Sequence, residues 1–180
     1  MTSLGVDAYV GTLNYKNLNP SFQPPQKKQF LTGYFNNIFQ QGSNNPQYME
    51  WTNRTTGGSG NSEITPIVFP YKCRLVSSSI SWLSNSPIAL TGTERCDIAI
   101  GTYLPTNNGG VGSNLNWTQV GGLIHQITTA DNGTYPRRSA QHDITFNAGD
   151  ALSVRSVEQG TITLNTDELQ LFFCFEEIID

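Results

Sequence analysis

The chain has 180 residues, 13% of them charged and 37% hydrophobic, with a formal net charge of −4. That length suits one domain with a proper core, and aromatics at 11% argue against a self-repelling, coreless chain. The acidic balance, with a sequence pI of about 5.1, argues against nucleic acid as a partner, because neutralising phosphates needs a basic field.

Residues 1–29 differ from the rest. After a short alternating stretch (Val6, Ala8, Val10), the segment NYKNLNPSFQPPQKKQ contains Pro20 and the Pro24–Pro25 pair and almost no aliphatic residues. Proline holds its neighbours extended and removes backbone donors. Such a segment is expected to be an extended arm that gains order by lying on another surface, with Phe22, Pro24 and Pro25 as its contact residues. The start, MTSLGVDAYV, lacks the basic-then-apolar layout of a signal peptide, and no window approaches a membrane span, so no membrane partner is expected.

The remainder, 30–180, reads as one domain of short strands. FLTGYFNNIF is aromatic on both faces. That predicts a strand either central in a sandwich or pressed on a neighbouring subunit, through Phe30, Tyr34 and Phe35. TNRTTGGSGNS at 52–62 is a flexible loop. A long strand is predicted around Cys73–Leu83, ended by Asn85-Ser86-Pro87. Its inner face is ambiguous, since Val76, Ile80 and Trp82 compete with Cys73, Leu75 and Leu83. Cys96, Ile98 and Ile100 alternate in the next strand, and TNNGGVGSN then forms a long loop. Asp131-Asn132-Gly133 marks a turn, Ile144 and Phe146 share a face, and Asn147 to Asp150 turn the chain into Leu152 and Val154. LQLFFCFEE places Leu169, Leu171, Phe173 and Phe175 on one face. Regular strands with turns and no helical periodicity predict an all-β, antiparallel sandwich of the jelly-roll or immunoglobulin-like kind.

Chemistry is sparse. His125 and His142 have no second ligand at metal spacing, and HExxH is absent, so no metal site or cofactor is expected. No GxSxG elbow is present, and GGVG at 109–112 lacks the Lys and Ser/Thr of a phosphate-binding loop. Asp97, Asp143, Asp150 and the Glu176–Glu177 pair are the carboxylates that glycoside hydrolysis would need. Asp150, next to Gly149, is better read as a local turn hydrogen-bonder, and no catalytic residue is assigned. Cys73, Cys96 and Cys174 read as buried thiols of a reducing compartment, with a Cys73–Cys96 bridge as the alternative. The sequons at Asn53, Asn116 and Asn132 are expected by chance in a chain about one third Asn, Gln, Ser and Thr. Trp51, Trp82, Trp117, Tyr103 and Tyr135 lie in or beside loops. Trp117 and Tyr135 are the ones expected to meet a partner.

PIVFPYKCRLVSSSISW, FNAGDALSVRSVEQG and DELQLFFCFEE together resemble, across 66–180, the jelly-roll virion structural proteins of tailed bacteriophages and related viruses. The carriers are a Pro-flanked start at Phe69-Pro70-Tyr71, the Ala148–Val154 turn and strand, and a final aromatic strand ending in Glu. The resemblance implies a jelly roll, a place in the virion after assembly in the host cytoplasm, and no enzymatic activity. It implies partners among the major capsid protein or other virion proteins, and a homo-oligomer, with a trimer favoured. Combined with the arm, it leads to a protein that decorates or cements a capsid; the alternative is a receptor- or carbohydrate-binding head of a tail fibre or spike.

Overall fold

The computed structural model describes residues 27–35, 38, 47–49, 51, 66–103, 117–160 and 168–179. Phe22, Pro24, Pro25, most of the expected arm, and the loops at 52–62 and 106–114 lie outside these residues. The described strands are β1 (Lys28–Phe35), β2 (Gln47–Tyr48), β3 (Ile67–Val68), β4 (Cys73–Trp82), β5 (Arg95–Tyr103), β6 (Trp117–Thr128), β7 (Arg137–Phe146), β8 (Ala151–Gln159) and β9 (Leu169–Glu177). β1 starts at Lys28, within the last two residues assigned to the arm.

Two antiparallel sheets face each other. Sheet A has the order β1-β9-β4-β7, and sheet B the order β2-β8-β5-β6, with β3 also pairing β8. The pairing is that of a ribbon doubled back on itself. The first strand joins the last, β2 and β3 join β8, β4 joins β7 and β5 joins β6. Wrapping that ribbon into two sheets is the jelly roll. The expected all-β sandwich is thus observed, and of the two expected topologies the jelly roll is the one formed.

Alternation decides the inner faces. Leu169, Leu171, Phe173 and Phe175 of β9 all enter the core, as expected, and Phe173 and Phe175 stack with ring centroids 6.2 Å apart. Across the sandwich they meet Ile98, Ile100, Leu152 and Val154 of sheet B. Burying side chains of this size stabilises by roughly 1.5–3 kcal/mol each. Trp82 is also interior, its indole N–H donating to the Ser86 carbonyl at 2.9 Å.

The ambiguity in β4 has a physical resolution. Its register against β9 shifts between Leu75 and Ser77, because Val76 is an extra residue. A bulge flips the phase of everything after it. Cys73 and Leu75 therefore face inward before it, and Ile80 and Trp82 face inward after it. Both competing sets are correct in part, while Val76 and Leu83 are not core.

Two turns follow their expected chemistry. At Asn147–Asp150, Gly149 has φ 84°, and the Asn147 amide donates to the Asp150 carboxylate at 2.8 Å. After β6 a 3-10 turn spans Thr129–Asp131, and Asn132 clamps Leu90 through both amide atoms, at 2.8 and 2.7 Å. That sequon asparagine is thereby committed to a structural role.

Candidate functional site

Of the residues expected to meet partners, Phe30 is 73% exposed, Tyr34 is half-buried, and Phe35 is 1% exposed in the core. β1 is not the central strand that one expectation allowed: it is the edge of sheet A, and its described pairing is with β9. The two-faced pattern has a simple cause. Phe35 fills the sandwich, and Phe30 stands on the opposite face. Tyr135 is 48% exposed, with its hydroxyl donating to the Asn85 carbonyl. Of the aromatics in or beside loops, Trp51, Trp82 and Trp117 are all buried.

The outer face of sheet A can be followed row by row through its register. One cross-strand row is Phe30, Cys174, Ser77 and Gln141; the next is Thr32, Phe172, Ser79 and Ser139. Neither row holds a charge. Phe172 is 45% exposed and lies diagonally from Phe30, a Cα separation of roughly 7–8 Å. Charges flank these rows: at one end Arg74 bonds Glu176 at 2.7 Å and reaches Asp143 at 3.5 Å, and at the other exposed Arg137 stands beside Ser81. The middle is a flat apolar and hydroxyl surface of the kind that is covered in assemblies. Phe172 was legible in principle, because adjacent phenylalanines in a strand must point to opposite faces.

The outer face of sheet B is built differently. Tyr48, Ala99 and Trp117 form a second buried cluster there. The Trp117 indole lies against the bare backbone of Gly101. A Cβ at that glycine would stand 2.6 Å from the indole and 2.3 Å from the Thr118 carbonyl oxygen. The Arg155 guanidinium lies over the ring, 3.9 Å from its centroid. Arg155 also hydrogen-bonds the Tyr48 hydroxyl, whose pKa burial nonetheless raises. Trp117 is 7% exposed, so its contacts belong to this chain.

Inside the sandwich, the two histidines meet. The Ser78 hydroxyl lies 2.8 Å from Nε2 of His125 and 2.7 Å from Nε2 of His142. The rings stand edge-on, 6.3 Å between centroids. One imidazole accepts the hydroxyl proton, and the other donates its N–H to the oxygen. Burial pushes the His125 pKa down to about 4, helped by His142 and the nearby Arg138, and burial lowers that of His142 as well. Both rings are neutral at pH 7. No local motif announced this cluster, since its residues are 47 and 64 positions from Ser78.

The remaining titratable groups are held apart. Asp97 takes Arg95 and Gln126, Asp143 takes Arg74, and Arg138 ties Asp131 to the Gln126 carbonyl. Of the candidate carboxylates, Asp143 and Glu176 share Arg74, while Asp97 is paired separately with Arg95. Among the described residues no three His, Cys, Asp or Glu side chains gather as a metal cluster. The three cysteines are free and buried, so Cys73 and Cys96 are not bridged; desolvation pushes the Cys73 thiol up to about 11. No helix among the described residues is long and apolar enough to cross a membrane.

No protein-family model matches the sequence, and no curated protein matches it. Two solved structures align over most of the chain. One is from the acidic stable capsid structure of Helicobacter pylori bacteriophage KHP30, 11% identical with a TM-score of 0.40, covering 83% of this chain and 86% of that one. The other is from the cyanophage Pam1 capsid asymmetric unit, 8% identical with a TM-score of 0.47, covering 95% of this chain and 99% of that one. Likeness at this level neither assigns a family nor carries a residue's role across.

Proposed function

We propose that this chain is a structural protein of a virion, a jelly-roll module that decorates or cements a capsid by having the outer face of sheet A covered by a neighbouring subunit. The observation that carries the reading is the pair of uncharged rows bearing exposed Phe30 and Phe172 on the outer face of sheet A. The two middle rows, of apolar, hydroxyl and amide side chains, associate at little desolvation cost, because no charge in those rows must be stripped of water. Residues 1–26 precede β1 in sequence, and the reading assigns them further contacts with the covering neighbour. The partners are the major capsid protein, other virion proteins or sister copies in a trimer. The rival reading, a receptor- or glycan-binding head, drew on Trp117 and Tyr135; with Trp117 occupied by Gly101 and Arg155, it keeps one aromatic.

The test is the number of copies of this chain per purified virion, by quantitative mass spectrometry, for the wild type and for Phe30→Asp with Phe172→Asp. The wild type is expected in many copies. The double variant, melting near the wild-type temperature, is expected to be lost from particles. Deletion of residues 1–26, which spares β1, is expected to weaken incorporation. Wild-type occupancy in the double variant, or absence of the wild type from particles, overturns the reading.

A further inference from the structure

Three strands leave regular pairing at one level of the sandwich, and each delivers a side chain to the same point. On β4, Val76 is extra, two residues before Ser78. On β7, the partner moves from Ile144 to Gln141 as β4 goes from Leu75 to Ser77, which leaves His142 and Asp143 opposite Val76. On β6, the partner moves from His125 to Leu123 as β5 goes from Ile98 to Ala99, which leaves Ile124 extra. Bulges re-aim side chains and concentrate beside functional sites. Here they bring two imidazoles from opposite sheets onto one hydroxyl.

We propose that His125, His142 and Ser78 form a binding site for one first-row divalent metal ion of the zinc class, which would cross-link β6 of sheet B to β4 and β7 of sheet A. Imidazole nitrogen suits such ions, at metal–nitrogen distances of about 2.0–2.1 Å. Tetrahedral ligands at that radius stand about 3.3 Å apart. The observed separations from Oγ are 2.8 and 2.7 Å, so each imidazole nitrogen need move from the hydroxyl oxygen by only about half an ångström. The imidazole that donates Nε2–H moves its proton to Nδ1, which frees both Nε2 lone pairs without net proton release. His142 is half-buried on the sheet edge, giving the ion an entry and leaving water the fourth position. Arg138, whose charge is felt at His125, is held by Asp131, which offsets its repulsion of a cation.

The test uses the full chain at pH 7.5, titrated with ZnCl2 and, as a control, MgCl2. One equivalent of zinc is expected to bind, raising the Tm by about 5–10 °C at roughly 100 times Kd; magnesium should do neither. His142→Gln, which can still hydrogen-bond Ser78, is expected to lose the zinc-dependent rise. Should that variant fail to fold, the wild type loaded with Cu(II) carries the test: its electron paramagnetic resonance spectrum should show hyperfine coupling to two imidazole nitrogens. An equal rise in His142→Gln, no rise in the wild type, or a copper spectrum without imidazole nitrogen overturns the proposal.

Discussion

The two outer faces of this sandwich both carry aromatic side chains, and they use them in opposite ways. On sheet B, Trp117 is sealed by the Gly101 backbone and the Arg155 guanidinium, with Tyr48 beside it. On sheet A, Phe30 and Phe172 stand among serines and threonine, and among the described residues no cation lies over either ring. An aromatic ring satisfied within its own chain stabilises the fold. One left bare contributes nothing there and is available to a neighbour. The contrast turns on what lies above and below each ring, which neither residue type nor nearness to a loop reveals.

The contrast is broken most forcefully at Trp117. Trp117→Ala should lower stability by roughly 3–5 kcal/mol, read by denaturant unfolding, because a buried ring is removed from a cluster with little to replace it. Gly101→Ala comes next, at about 2–3 kcal/mol, since its Cβ would overlap the indole and the Thr118 carbonyl. Arg155→Met should cost about 1 kcal/mol, the scale of a partly desolvated cation–π contact. Phe30→Asp with Phe172→Asp sits at the far end: unfolding within about 0.5 kcal/mol of wild type, with the whole effect falling on association. If that double variant unfolds as readily as Trp117→Ala, the two faces are not different in kind. The thiols give a chemical check of the same interior. Cys73, with its pKa near 11 and no exposed surface, should resist iodoacetamide at pH 8 in the folded protein and react once denatured.

How much of this was legible beforehand depends on the range of the signal. β9 was read correctly because its four inward residues alternate without interruption. β4 was unreadable as one alternation because a bulge switches its phase at Val76, and a bulge leaves no mark in composition. The turns at Asp150 and at Asp131-Asn132-Gly133 were visible because their turn bonds span three residues. Trp117 was misplaced because the glycine that accommodates it lies 16 positions away on a neighbouring strand, and Arg155 is farther still. The meeting of Ser78, His125 and His142 depends on how two sheets close and on three bulges, which one-dimensional spacing does not encode.

The join between β1 and β9 also sets an order of events. Lys28 pairs Glu176 and Phe35 pairs Leu169, and β9 then pairs β4 on its other side. Sheet A therefore has its middle strand supplied by the end of the described chain. During synthesis, β1 and β4 have no shared neighbour until β9 leaves the ribosome, and closing a loop of that length is slow. Until then Phe35, Leu75 and Trp82 lack half their packing, and the bare rows around Phe30 do not exist as a surface. If the outer face of sheet A is the association face proposed above, it exists only once β9 has joined β1 and β4, and folding then precedes association as a matter of topology.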